Sequence, residues 1–290
     1  MKARIRNPRL KLPAGIAVAV ATSMLAFAQI AIAAGPPAVG LGTAAPFAVL
    51  AGAGITNTGP TTINGDVGSY PTTTQTGFGS VTLSGGTNHA GDAVTQGAQT
   101  DLTTAYNTAA GSGPTTPVAA DLGGQTLTPG VYNSASSLGL TGTLTLSGAS
   151  SDVWIFQAGS TLTTATGSSV VLIGGAQSCN VFWQIGSSAT IGTGSAFKGT
   201  IIALESITVT TGATIDGRAL ARGGAVTLDT NTITRSTCAS TATPIPSLTN
   251  VAMSGSDRDN PMSTVVFALV MTAMLAALAI ASVRTARHSR

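Results

Sequence analysis

From Phe47 onward the chain alternates apolar and polar positions in short runs, each closed by glycine or a small polar turn. Alternation of period two predicts half-buried strands. Phe47–Leu50, Ile55–Thr58 and Thr62–Val67 form a first triplet of such strands. The rhythm returns after residue 140 as LTGTLTLSG, VWIFQAG, STLTTATG, SSVVLIGG, NVFWQIG, SSATIGTG, SAFKGTIIAL, ESITVTTG, ATIDGRALA, GGAVTLDTN and TITR. Similar segments recur roughly every 17–28 residues, a spacing expected of solenoid repeats. Three strands per repeat leave no room for crossover helices. Because equivalent segments recur with matched apolar registers, the pattern predicts a parallel β-helix in preference to an antiparallel sandwich. Its expected inward set is Val153, Ile155, Leu162, Val170, Leu172, Phe182, Ile191, Ile201, Ile207, Val209, Ile215, Val226, Leu228 and Ile233.

One stretch breaks this period. NHAGDAVTQGAQTDLTTAYNTAAG places Ala90, Val94, Ala98, Leu102 and Tyr106 four residues apart, one face of an amphipathic helix over about 89–109. Asn88 is its expected cap; Gly111 and Pro114 end it. Both chain ends have a different character. A basic stretch (Lys2, Arg4, Arg6, Arg9, Lys11), an apolar run to about Ile30 and the small-x-small site Ala31-Ile32-Ala33 read as a secretory signal peptide over residues 1–33. Thr264–Val283 carries no charge and is long enough to span a bilayer. Arg284, Arg287 and Arg290 follow, so the tail 284–290 is expected on the cytoplasmic side and the body outside. The expected layout is a β-helix domain over 34–240, a linker over 241–262 and a membrane anchor over 263–283.

Composition sharpens this picture. Only 8% of the chain is charged and 4% aromatic, with 36 glycines, which suits a strand-rich fold with many tight turns. The formal charge of +3 belongs to the two ends. Between Ala34 and Met262 lie all ten acids but only Lys198, Arg218, Arg222, Arg235 and Arg258 among the bases. The exported body is thus acidic, and nucleic acid is not an expected partner. Cys179 and Cys238 fall in the exported part, where a disulfide is expected. It closes a loop of about 58 residues and contributes ~4 kcal/mol in the chain-entropy model. No Cys/His cluster offers a zinc site, and no cofactor is expected. His89 is the body's one histidine, so no Ser/His/Asp set can be assembled. Lys198, Asp216, Arg218 and Arg222 fall in successive segments and suggest an exposed ion pair; no enzymatic activity is expected.

Several stretches resemble the DUF3494, ice-binding-like family of secreted microbial proteins: LGTAAPFAVLAGAGITNTGPTTINGDVGSYP, DLTTAYNTAA, LGGQTLTPGVY, and the long run SSVVLIGGAQSCNVFWQIGSSATIGTGSAFKGTIIALESITVTTGATIDGRALARGGAVTLDTNTI. They cover nearly all of residues 41–238. The resemblance implies a discontinuous right-handed β-helix of triangular section, with one long helix alongside. It also implies that the first turn, which precedes the helix in sequence, packs against later turns. Ice and its ordered water are the implied partner, met through a flat face.

Strand parity selects candidate residues for that face. If Ile55, Leu162, Ile191, Ile207 and Val226 point inward, then Thr56, Thr161, Thr163, Thr190, Thr208, Thr210 and Thr227 point outward. Gly192 and Asp229 interrupt the set. Thr-Gly-x-Thr elements at Thr58–Thr61 and Thr211–Thr214, with a partial match TGSA at 193–196, add Thr58, Thr193, Thr211 and Thr214 and are similar to an element that ice-binding family members often carry. A grid of threonines presents methyls and hydroxyls on stiff side chains. Threonine is also common on any exposed strand, so the alternative is a structural or adhesive module that binds polysaccharide or another cell. Trp154 and Trp183 are expected in the core, which argues against a sugar platform.

Overall fold

The computed structural model describes residues 35–239. The expected signal peptide, linker, membrane anchor and basic tail lie outside the described residues. Every strand pairing is parallel, and the strands stack in three faces. The first face comprises β5 (Thr115–Pro117), β7 (Gly130–Ser134), β10 (Trp154–Ala158) and β13 (Val181–Ile185). It continues through the C-terminal halves of β15 (Ala196–Ala203) and β17 (Thr214–Ala221), then the N-terminal halves of β1 (Phe47–Thr58) and β3 (Asp66–Thr76). The second face is β8 (Leu138–Leu140), β11 (Leu162–Thr164), β14 (Ala189–Ile191), β16 (Ile207–Val209), β18 (Val226–Asp229) and the C-terminal ends of β1 and β3. The third is β6 (Thr126–Leu127), β9 (Thr143–Ser147), β12 (Ser169–Ile173), the N-terminal halves of β15 and β17, β19 (Thr232–Thr234), β2 (Thr61–Asn64) and β4 (Val81–Ser84). The stack is discontinuous in sequence: β1 and β2, first in the chain, pair with β17, β18 and β19, the last.

Two of the expected strand boundaries change. Phe47–Leu50 and Ile55–Thr58 are one continuous strand, β1, which turns from the first face to the second through Gly54 at φ 101. Thr62–Val67 is instead divided at Gly65, φ 130. The corner between the third and first faces inside β15 and β17 is set by Gly199 over Gly217. A Cβ on Gly217 would overlap the Gly199 carbonyl oxygen, so only glycine lets these turns stack.

The helix, α1 (Ala93–Ala110), starts later than its period suggests. Asp92, not Asn88, is the cap: its Oδ1 accepts from Thr95 N at 3.0 Å. Ala90 lies outside the helix at φ 45, and Val94 is 48% exposed. The buried stripe is Thr95, Ala98, Leu102, Ala105 and Ala109. Its alanines let α1 lie close over the first face, against Phe47, Leu50, Val131, Ile155, Phe182, Ile202 and Leu220. At the other end, buried Gln157 Nε2 donates to the carbonyls of Ala109 (2.8 Å), Ala110 (3.2 Å) and Ser112 (3.0 Å). It thereby satisfies acceptors that a helix end leaves open.

This helix also corrects the expected core. Val153, Ile155 and Phe182 point away from the lumen and under α1, while Trp154, Phe156 and Trp183 fill the lumen. Both parities of VWIFQ and VFWQI are therefore apolar because both sides of that face are covered. The rest of the inward set lies inside as expected, although Leu172 is only half-buried.

Three polar features fasten the chain around this core. The disulfide forms between Cys179 and Cys238, Cα atoms 5.4 Å apart. Lys198 Nζ meets Asp216 Oδ2 at 3.3 Å on the third face, a half-exposed pair of little energetic weight. Beyond the Gly217 corner, Arg218 faces elsewhere: it is buried and donates to the carbonyls of Ala45 (3.0 Å) and Ser236 (3.0 Å). Burial and the neighbouring Arg235 charge lower its pKa to about 10.

His89 joins two elements, with Nε2 at 3.3 Å from Asp66 Oδ2 and Nδ1 at 3.0 Å from Asp92 Oδ2. Burial opposes its charged form, but the hydrogen bonds and charges of Asp92 and Asp66 prevail and raise its pKa. Asp92 is held below the usual range by the Thr95 N–H and by His89. The His89 contribution is present below an unfolded pKa of about 6.5 and is lost as pH rises through the folded value. The Asp92 contribution is lost as pH falls through its depressed pKa. Protection of the amides in the first turn of α1, taken relative to their intrinsic exchange at each pH, should therefore be greatest between about pH 4 and 6.5. His89→Gln should flatten the alkaline side of that profile; an unchanged alkaline limb would count against this assignment.

Candidate functional site

The second face assembles the threonines in register. Thr163 pairs with Thr190, Thr190 with Thr208, Thr208 with Thr227, Thr227 with Thr56, and Thr56 with Thr76. The result is an unbroken ladder running across the stack, one side chain every ~4.8 Å. Beneath it Ile55, Leu162, Ala189, Ile191, Ile207, Val209, Val226 and Leu228 are buried. That inward row fixes the strand parity and so keeps every ladder threonine outside.

The other expected residues take four different positions. Thr58 pairs with Asp229, and Thr210 lies one step past the Ile191–Val209 pair, so these form a second rank ~6.6 Å from the first. Thr161 borders the ladder on its opposite flank, where Oγ1 donates to Ser137 Oγ at 2.8 Å. Thr193 and Thr211 stand exposed at the far corner, and Thr193 Oγ1 reaches Thr210 Oγ1 at 3.3 Å. Thr214 does not belong to this surface. It lies on the third face, in register with Thr232, which continues to Thr62 and Thr82.

That third-face ladder was not apparent from the repeats. It is interrupted by Ala196, and its flank carries the Lys198–Asp216 pair and the exposed Val171 and Ile173. Thr76 was also missed, because TTTQT follows Pro71 with no glycine rhythm to fix its parity. The second face is the more uniform of the two, with Asp229 its one charge.

The two interruptions on the second face have structural causes. A Cβ on Gly192 would overlap the Thr164 carbonyl oxygen, and Gly192 N donates to Thr164 Oγ1 beneath it at 2.8 Å. Asp229 accepts the hydroxyl hydrogens of both Thr211 and Thr230, the latter at 3.0 Å. Thr230 itself has φ 54, whereas the equivalent corners hold Gly167, Gly194, Gly212 and Gly59 at φ 64–74. A β-branched residue is strained there by about 1–3 kcal/mol. Thr230→Gly should thus stabilise the fold by ~1 kcal/mol after the entropy cost of glycine, raising Tm by about 2–4 °C. A lower Tm would mean that the Thr230 hydroxyl bond outweighs the backbone strain.

Comparison with known proteins places this surface in context. A family model described as ice-binding-like matches residues 49–234. An ice-binding protein of Nostoc sp. (strain HG1) is 48% identical over 197 residues, spanning 67% of this chain and 72% of its own. Another, from Typhula ishikariensis, is 39% identical over 213 residues, 65% of this chain and 88% of its own. Among solved structures, an ice-binding protein from an Antarctic biological consortium aligns with a TM-score of 0.67 at 48% identity, covering 69% of this chain and 92% of that one. One from the Antarctic ascomycete Antarctomyces psychrotrophicus aligns with a TM-score of 0.65 at 43% identity, covering 69% of this chain and 99% of that one.

Proposed function

The chain belongs to the ice-binding-like family, and on that footing we propose that it adsorbs to ice through the threonine ladder of the second face. The observation that carries this reading is the in-register run Thr163–Thr190–Thr208–Thr227–Thr56–Thr76. A lattice of repeated, stiff side chains matches a lattice of repeated oxygens. Methyls order the intervening water, hydroxyls bond to it, and little rotamer freedom is lost on docking. Each contact is weak, but the rigid backbone makes all of them at once. Ice held back between adsorbed molecules must then grow with a curved front, which slows growth and recrystallisation. The action is non-enzymatic. Thr58, Thr161, Thr193, Thr210 and Thr211 extend the contact area around the ladder.

The sequence of both ends supports an exported location. A signal peptide over 1–33 and a membrane span over Thr264–Val283 with three following arginines would hold the domain on the outer side of the cell membrane. There it would bind a cell to ice or restrain ice near the envelope. The adhesive alternative lacks an aromatic platform for sugars at either tryptophan, since Trp154 and Trp183 are both fully buried.

A solved relative, 43% identical, consists almost wholly of the unit matched here, which supports residues 35–239 as a unit that folds alone. Thermal hysteresis and recrystallisation inhibition measured on this fragment test the proposal; absence of both at high concentration would overturn it.

A further inference from the structure

Asp229 stands in the second rank of the threonine face, where Thr58 is its partner in β1 and where Thr210, like Asp229 itself, lies one step past the Val209–Leu228 pair. By composition it is a defect there. A bare carboxylate holds water tightly, and stripping that water on docking costs free energy. Its surroundings say otherwise. Thr211 Oγ1 donates to Oδ2, Thr230 Oγ1 donates to Oδ1 at 3.0 Å, and the Asp229 amide donates to Asn231 Oδ1 at 2.6 Å. Asn231, itself buried, is fixed in turn by donating to the carbonyls of Thr210 (2.8 Å) and Ala213 (3.2 Å). The strained corner belongs to the same arrangement. Thr230 keeps a hydroxyl where the equivalent turns have glycine, and that hydroxyl lies where a Cβ on Gly59 would be, at 2.5 Å.

Given the ice-facing reading above, we propose that Asp229 is a positioning residue of that surface: its carboxylate takes the hydroxyl hydrogens of Thr211 and Thr230 and locks both rotors. A hydroxyl has one hydrogen and two lone pairs. With the hydrogen committed to the carboxylate, each oxygen can only accept from surface water, and in a fixed direction. Bonds to an ionised acceptor are the stronger kind and hold this orientation. The ordering is thus completed during folding rather than at the ice surface, where it would weaken adsorption. The carboxylate in turn receives protein hydroxyls in place of part of its water.

This reading and the simple ladder reading predict opposite results for one variant. Asp229→Thr restores an uninterrupted second rank, Thr210–229–Thr58. If Asp229 were only a gap, thermal hysteresis would rise. If it positions its neighbours, hysteresis of the 35–239 fragment should fall at least about twofold at equal concentration, with the fold retained, because preorganisation is lost. Asp229→Asn keeps one acceptor oxygen and should lie between the two. A second readout is independent of ice: near 0 °C, the hydroxyl protons of Thr211 and Thr230 should be visible by NMR in the parent and absent in Asp229→Thr. Parent-like or higher hysteresis in Asp229→Thr, or hydroxyl protons that exchange equally fast in both proteins, would overturn the positioning role. Thr208→Tyr separates this from failure of the whole face. If Thr208→Tyr is inactive while Asp229→Thr is fully active, only the positioning role falls; if both are fully active, the ice-facing assignment falls with it.

Discussion

Thr208→Tyr is expected to abolish thermal hysteresis while changing stability by no more than about 0.5 kcal/mol. Thr208 occupies the middle of the ladder, flanked in register by Thr190 and Thr227. Its side chain is outside the core, whose nearest members are the buried Ile207 and Val209. A phenol ring there needs no space inside the protein. It rises above both neighbours and holds the surrounding face away from a flat crystal surface. Contacts between atoms lose a quarter to a half of their attraction over a gap of only about 0.5–1 Å, so one protrusion disables many threonines together. Thr232→Tyr is the control. It places the same ring in the third-face ladder, between Thr214 and Thr62, and should leave hysteresis unchanged. The reverse pattern, an active Thr208→Tyr and an inactive Thr232→Tyr, would move the ice-facing surface to the third face. Equal loss in both would mean that ice is met at more than one face.

Much of this surface can be read from the residues, because a period of two fixes side-chain direction wherever one flank is apolar. ITVT, ATIG and VTLD each offer one unambiguous inward row, and Thr190, Thr208 and Thr227 follow from it. Parity fails where that condition fails. VWIFQ is apolar on both flanks, so nothing local tells which side faces the lumen; the decision rests with α1, which covers Ile155 and leaves Trp154 inside. The same kind of competition shifted the helix start. Ala90 and Val94 keep the helical spacing, but Asp92 makes the better cap, and Asn88 is instead engaged with Gln75. Stacking order is a third kind of information that no segment carries. Thr56 and Thr227 are far apart in sequence and become neighbours only because β1 closes onto β18. The resemblance to the family anticipated that closure; local pattern alone did not. The bonds around Asp229 were beyond sequence reasoning altogether, since they depend on a corner conformation that Thr230 has little intrinsic tendency to adopt.

The largest expected effect on stability is that of Trp183→Ala, a loss of about 3–5 kcal/mol, or ~6–20 °C in Tm for a domain of this size. Trp183 is fully buried in the lumen at the register position of Phe156, with ring centroids 4.1 Å apart and planes at 13°. Tyr132 extends the stack beyond Phe156 at 5.5 Å, and Phe197 closes it from the third face at 5.0 Å. The indole Nε1 donates to the Lys198 carbonyl at 3.0 Å, which satisfies its one polar atom. Removing the ring leaves a cavity whose walls cannot move inward, because each turn is held to its neighbours by ladder bonds at ~4.8 Å spacing. The usual relief, partial collapse around the lost side chain, is therefore restricted, and the cost should fall in the upper half of the range. Trp183→Phe divides the effect. It retains an aromatic ring against Phe156 but leaves the Lys198 carbonyl without its donor, and should lose about 1–3 kcal/mol. Equilibrium denaturation of the 35–239 fragment reads both values. A loss below about 1 kcal/mol for Trp183→Ala would show that the solenoid can close around the gap, which would contradict the rigidity on which the threonine face also depends. The two large effects are linked in this way: a face can match a crystal lattice only if its spacing does not relax, and the packed lumen beneath it is what prevents relaxation.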